Sequence, residues 1–167
     1  MRVLGVDPGL KATGYGFIEP YQQKFKLIEA GTIEPKQKDL IQNRLSKVHA
    51  ILGELIEQHQ PSVLIVEKLY AHSKHPITSS ILGHVRGVIC LLCAQKNIEL
   101  VEHSPKRIRT AITGNGNASK EQVKRMIAHQ FKIDEKKLTL DASDALALAL
   151  GYLYMRQNDR SNSWKAC

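Results

Sequence analysis

Arg2-Val3-Leu4-Gly5-Val6-Asp7-Pro8-Gly9 decides how the rest of the chain is read. Its apolar run is too short for a helix, stops on an acid, and meets a Pro-Gly turn at once. That pattern predicts a short buried strand over residues 2–7 with Asp7 at its end. Val63-Leu64-Ile65-Val66-Glu67 has the same form, an apolar run closed by an acid. Two such strands, each ending on a carboxylate, give the chain a frame around which the other elements are placed.

Between them, Thr13–Ile18 and Phe25–Ile33 read as strands joined by a turn at Tyr21-Gln22-Gln23-Lys24, which makes a three-strand antiparallel meander. Residues 39–60 carry Leu40, Ile41, Leu45, Val48, Ile51, Leu52, Leu55 and Ile56 at helical spacing, and Pro61-Ser62 closes that helix. A strand that follows a long crossover helix is expected to lie parallel to its neighbour and inside the sheet. A second long helix is predicted over Ile77–Gln95, and a fifth strand over Ile98–Val101. The remainder reads as helical: a short piece from Pro105, one from Ser119 to Phe131 with Ser119 as N-cap, and a last one from Asp141 to about Gln157. The fold class is therefore α/β, a five-stranded mixed sheet flanked by helices on both faces. One domain is expected over residues 1–158, with residues 159–167 as a flexible polar tail.

Composition narrows the function. The 167 residues are 43% hydrophobic and 24% charged, enough for a core without cross-links. Lys and Arg number 24 against 16 Asp and Glu, a formal charge of +8 that favours a polyanionic partner. No segment approaches the roughly 20 apolar residues of a membrane span, and the N-terminus lacks the apolar region of an export signal. A cytoplasmic protein with no membrane partner is expected. Cys90 and Cys93 form a C-x-x-C inside the apolar run Val88–Cys93, with no second ligand pair, so they read as a buried helix face and not as a zinc site. No G-x-x-x-x-G-K-[ST] loop is present.

Chemistry points to the acids. Asp7 and Glu67 end strands, and Asp141 and Asp144 lie three apart on one side of the first turn of the last helix. If the first and fourth strands are neighbours, Asp7 and Glu67 emerge side by side, and the last helix brings the other two against them. Such a cluster repels itself and calls for divalent cations. Mg²⁺ is suited to it, and a pair of ions about 4 Å apart would serve phosphodiester hydrolysis. Each acid alone also has an ordinary reading. Asp7 could stabilise the Pro8-Gly9 turn, Glu67 could be a solvated strand end, and Asp141 could answer the helix dipole. Asp144 sits among Ala142, Ala145, Leu146, Ala149 and Leu150, which read as buried.

A wider series of motifs now comes together. Leu4-Gly5-Val6-Asp7-Pro8-Gly9 with Thr13-Gly14-Tyr15-Gly16, Val66-Glu67, and Leu82-Gly83-x-x-Arg86-Gly87 resemble the RuvC-type Holliday-junction resolvases. So do Gly114-x-Gly116-x-Ala118-x-Lys120-x-Gln122-Val123 and Asp141-Ala142-Ser143-Asp144-Ala145-Leu146-Ala147. The series runs in order over about residues 1 to 150. The resemblance implies a ribonuclease H-like nuclease domain, a homodimer, and incision of two like-polarity strands of a four-way DNA junction during recombination and repair. It further implies 5′-phosphate and 3′-hydroxyl ends and cooperation with the RuvA–RuvB branch-migration complex.

Carried over by position, Asp7, Glu67, Asp141 and Asp144 are the catalytic, metal-binding acids, for two Mg²⁺ with Mn²⁺ as a substitute. Lys120 would meet DNA near the scissile phosphate, and Tyr70 would stack on a base of the opened junction. Further DNA contacts are expected at Lys74, Arg86, Lys106 and Arg109. The basic set Lys106, Arg107, Arg109, Lys120, Lys124 and Arg125 flanks the Gly114-Asn115-Gly116-Asn117 turn, a phosphate-binding composition. Arg109 stands where the family often has Lys, His84-Val85 replaces a usual Gln-Ala, and the loop Ala71–Pro76 is atypical. His72 and His75 in that loop are candidates to touch DNA, whereas His103 and His129 read as structural or surface residues. The rivals are another ribonuclease H-like nuclease, acting on hybrids or other branched DNA, and a junction-binding module without catalysis.

Overall fold

The computed structural model describes residues 1–9, 11–22, 24–68 and 76–163, omitting the side chains of 76–81 and 160–163. Tyr70, Lys74 and the His72–His75 loop lie outside the described residues. Ten elements follow in order: β1 Val3–Asp7, β2 Thr13–Tyr21, β3 Lys24–Ile33, α1 Ile41–His59, β4 Val63–Glu67, α2 Pro76–Lys96, β5 Glu99–His103, α3 Pro105–Thr113, α4 Lys120–Phe131 and α5 Leu140–Ser163.

The five strands form one sheet in the order β3-β2-β1-β4-β5. The meander β1-β2-β3 is antiparallel, whereas β1 pairs with β4 and β4 with β5 in parallel. The expected adjacency of the first and fourth strands is thus realised, with Val3 opposite Val63 and Val6 opposite Val66. Because side chains alternate along a strand, β1 and β4 are buried on both faces. Val3, Val63 and Ile65 pack beneath α3, α4 and α5, and Leu4, Val6, Leu64 and Val66 pack beneath α1 and α2. Alternation carries Asp7 and Glu67 to the α5 side.

That side carries an unusual surface. Gly5 on β1 and Gly14 and Gly16 on β2 share a face and are paired in register, Gly5 with Gly16 and Asp7 with Gly14. A Cβ on Gly5 would lie 1.9 Å from the Ala145 carbonyl oxygen, and one on Gly14 would lie 2.0 Å from that of Asp141. At Gly16 it would meet Leu146 Cδ2 at 2.5 Å. The α5 backbone rests directly on the sheet, and Ala142, Ala145 and Ala149 on its inner face are fully buried.

Boundaries differ from the sequence expectation where pairing overrides local composition. The strand β2 runs on to Tyr21 because Pro20 and Tyr21 pair with Phe25 and Lys24, and the turn is compressed around Gln22 at φ 54°. Likewise β5 extends to His103 because the whole of β4 pairs with it, Val63↔Glu99 to Glu67↔His103. The last helix begins at Leu140 and continues to Ser163, so residues 159–163 of the expected loose tail are helical. The Ser119 cap is present as foreseen. Its hydroxyl accepts from the Gln122 N–H, and the Gln122 side chain accepts from the Ser119 N–H at 2.8 Å.

Gly5→Ala tests the seating of α5. Overpacking against a rigid backbone is expected to cost about 3 kcal/mol, measured by urea unfolding of the metal-free protein. A loss below about 0.5 kcal/mol, the range of neutral surface changes, would mean that the helix does not need the bare backbone.

Candidate active site

The N-terminus of α5 is fixed from two directions. Thr139 Oγ1 accepts from the Ala142 N–H at 3.2 Å and bonds Thr32 Oγ1 of β3 at 2.8 Å. This cap, missed in the sequence because Thr139 precedes the predicted start, ties the first helical turn to the sheet. With Gly14 against the Asp141 carbonyl, the first turn stands at the ends of β1 and β4. Asp7, Glu67 and Asp144 thereby open onto one cleft, shared with Arg109 and Lys120 and lined further by Ile108, Val123, Ala147 and Leu148. Asp141 is off the cleft lining but close enough to act on the charge of Asp7.

The electrostatics of the cleft follow from this crowding. Burial, with the Asp144 carboxylate beside it and smaller contributions from Glu67 and Asp141, drives the Asp7 carboxyl up to about 7, against the pull of Lys120. Glu67 is raised as well, first by burial and then by Asp144, while Lys120 and Arg109 oppose the shift. Lys120 occupies the first position of α4, where the Ser119 cap aims it across the cleft into an ion pair with Asp144. That hydrogen bond is the main reason its ammonium is held above its ordinary range.

The structure brings together five of the ten residues singled out for the site in the sequence. Asp7, Glu67, Asp144, Lys120 and Arg109 meet in one place. Lys106 is exposed on α3, its stem lying over Gly116, where an added Cβ would be 2.7 Å from Lys106 Cγ. Arg86 is elsewhere. Its side chain is 14% exposed, donates to the Glu67 carbonyl at 2.9 Å and pairs with Glu102. His103 stands in register beside Glu67, its ring against Tyr152, and burial followed by Arg107 keeps its imidazole below the usual range.

Among the described residues, no three acidic, cysteine or histidine side chains converge as a ready-made metal cage. One acid, Asp144, is turned to Lys120. The donor set nevertheless fits a hard divalent cation: its members are all carboxylates, and the most buried one, Asp7, resists ionising because burial and the neighbouring acids penalise its charge.

A mixed sheet in this order, with acids at adjacent strand ends and on the last helix, defines a domain of the ribonuclease H-like class. The sequence model of the family described as crossover junction endodeoxyribonuclease RuvC matches residues 3–152, and the chain belongs to that family of enzymes. Similar relatives include the RuvC of Prosthecochloris aestuarii, 39% identical over 150 residues, 90% of this chain and 80% of that protein. That of Caldicellulosiruptor saccharolyticus is 38% identical over 154 residues, 92% of each. The Thermus thermophilus RuvC structure has the same fold, with a TM-score of 0.83 at 22% identity over 95% of this chain and 97% of that one. The structure of T. thermophilus RuvC in complex with a Holliday junction substrate matches with a TM-score of 0.82 at 20% identity, over 94% and 95%.

The raised Asp7 carboxyl makes metal-free stability depend on pH. A folded-state value of about 7 against 3.8 unfolded means that the folded protein binds this proton more tightly. The resulting stability is complete below pH 4 and is lost as pH rises through about 7. Each tenfold change in proton affinity is about 1.4 kcal/mol, so the loss amounts to a few kcal/mol. In EDTA, the wild type is expected to melt lower at pH 8 than at pH 6, and Asp7→Asn to remove most of the difference. Equal pH slopes in the two proteins would show that neither burial nor the neighbouring acids raise the Asp7 carboxyl.

Proposed function

We propose that this chain resolves four-way DNA junctions as a homodimer, each protomer cutting one of two like-polarity strands through Asp7, Glu67, Asp141 and Asp144. The observation that carries the reading is the convergence of Asp7, Glu67 and Asp144 in a cleft capped by Lys120 and Arg109. A carboxylate cluster under cations is built to receive a phosphodiester only when positive charge neutralises it. The four acids would hold two Mg²⁺, with Mn²⁺ as a substitute. When bound, such ions supply an activated water and neutralise charge developing at phosphorus.

The chain's own residues do the rest. Lys120, released from Asp144, places its ammonium on the scissile phosphate, where a compact cation offsets the extra negative charge of the transition state. Arg109 offers a planar fork to a neighbouring phosphate, holding it more rigidly than the Lys usual at this place in the family. Lys106 extends the same basic surface along α3. The amides at the start of α4, after the Gly114–Asn117 turn, add a helix N-terminus to the backbone contacts. Water oxygen joins phosphorus and the 3′ oxygen leaves as the alcohol, giving a 5′-phosphate and a 3′-hydroxyl. Tyr70 and Lys74 would act at the opened junction centre, Tyr70 by stacking.

A two-fold dimer matches the symmetry of its substrate, so paired incisions leave two nicked duplexes. The wider setting is recombination and repair in the cytoplasm, alongside the RuvA–RuvB branch-migration complex. No helix among the described residues is long and apolar enough to cross a membrane.

A labelled synthetic junction incubated with Mg²⁺ or with EDTA tests the reading directly. Symmetric nicks are expected with Mg²⁺ only, and Asp7→Asn is expected to slow them more than about 100-fold, the upper range for disturbing a metal's ligand support. Tight binding without cutting in any divalent metal would leave a junction-binding module. Preferential cutting of RNA–DNA hybrids or flaps would keep the chemistry and change the substrate.

A further inference from the structure

Arg86 lies on α2, on the face of the sheet opposite α5, yet it reaches the catalytic edge. Its guanidinium donates to the main-chain carbonyl of Glu67 at 2.9 Å and, through the other terminal nitrogen, to Glu102 of β5. The site of that first bond is informative. Paired register between β1 and β4 runs from Val3↔Val63 to Val6↔Val66. Past it, β1 continues through Asp7 into Pro8, whose nitrogen carries no hydrogen. The open end of this parallel ladder therefore lacks a main-chain donor where Glu67 presents its carbonyl. On the other side, the next residue is held normally, with the Lys68 N–H donating to the His103 carbonyl at 2.9 Å.

We propose that Arg86 is a positioning residue for the nuclease reaction, substituting for the donor that Pro8 cannot provide and fixing the Glu67 peptide at the end of β4. The inference rests on the assignment of Glu67 to the reaction given above. It takes Arg86 out of the DNA-contact set in which the sequence placed it. Its side chain is 14% exposed, so little of it is left to offer a phosphate. Guanidinium geometry matters here: a planar fork serves two acceptors at once, one a carbonyl and the other a carboxylate. Glu102 holds the fork in place, and Val85 and Ile89 anchor this stretch of α2 in the core. Through Arg86, any shift of α2 relative to β5 is transmitted to the Glu67 main chain.

The test uses the full-length protein with Arg86→Met, Arg86→Lys and Glu102→Gln, and with Asp7→Asn as the reference. Positioning predicts that Arg86→Met binds the junction in EDTA within about twofold of wild type. Its single-turnover rate at saturating protein in Mg²⁺ should fall about tenfold, the rate equivalent of one charge-assisted hydrogen bond. Amide exchange over Val63–Lys68 in the metal-free protein should accelerate, and Arg86→Lys, which can reach one acceptor but cannot fork to both, should restore only part of the rate. A DNA-contact role predicts the reverse: weaker binding, a salt dependence shallower by about one ion, and an unchanged saturated rate. That result overturns the proposal, as does a lowered melting temperature with rate and exchange at wild-type values. If Arg86→Met does not fold, Glu102→Gln decides, since it keeps the cation and only frees the fork. A lowered saturated rate at unchanged affinity supports positioning, and a wild-type rate overturns it. Wild-type cutting by Asp7→Asn would instead refute the acid site itself, independently of Arg86.

Discussion

The close approach of α5 to the bare backbone of β1 and β2 is the constraint on which the rest of the structure depends. At Gly5 and Gly14 the helix carbonyls occupy the space where a Cβ would be, 1.9 and 2.0 Å from it. A side chain at either place would push the helix off the sheet. The inner face of α5 answers in kind, with alanines at 142, 145 and 149. Small residues on both surfaces let the first turn of the last helix stand at the ends of two parallel strands that carry acids. The geometry of the acid cluster is thus a packing result: where Asp144 stands relative to Asp7 depends on the bare backbone at Gly5 and Gly14.

Packing this tight has an electrostatic cost. Burial and repulsion raise Asp7 and Glu67, and the compensation available within the chain is partial. Lys120 pairs with Asp144, Arg109 acts on Glu67, and the positive end of α5 favours negative charge near its first turn. The metal-free site keeps unbalanced negative charge, a surplus that a divalent cation would offset. Function is obtained against local stability, a frequent feature of active sites. Lys120 links the two states, since the cation that now balances Asp144 is the one proposed to meet the phosphate.

Much of this was legible in the sequence because the informative residues interrupt local patterns. An acid closing a four-residue apolar run is conspicuous, and so is Asp144 among residues that read as buried. The alternation of helix and strand after the meander gave the sheet class, and the ordered motifs gave the family. The seating of α5 was not legible, because Gly5 and Gly14 acquire their meaning from a helix more than 120 residues away in the chain. The Thr139 cap was hidden by an exposed Leu140 that does not look like a helix start. Polar Glu99, Glu102 and His103 disguised the length of β5, which is decided by pairing with β4. Arg86 resembled a DNA contact because charge in a basic protein suggests phosphate. Its partner is a main-chain carbonyl, and nothing in local sequence marks an unpaired carbonyl except the proline on the neighbouring strand.

Four carboxylates from β1, β4 and α5 act as one electrostatic unit, and Asp7 is where the other three are felt together. A carbon-13 titration of the side-chain carboxyls in EDTA, with Asp7 assigned from the resonance lost in Asp7→Asn, measures that unit at its centre. Asp7 is expected to titrate at about 7. Titration of Asp7 near 4, the ordinary range for an aspartate, would contradict this and mean that Asp7 is neither buried nor crowded by acids as described.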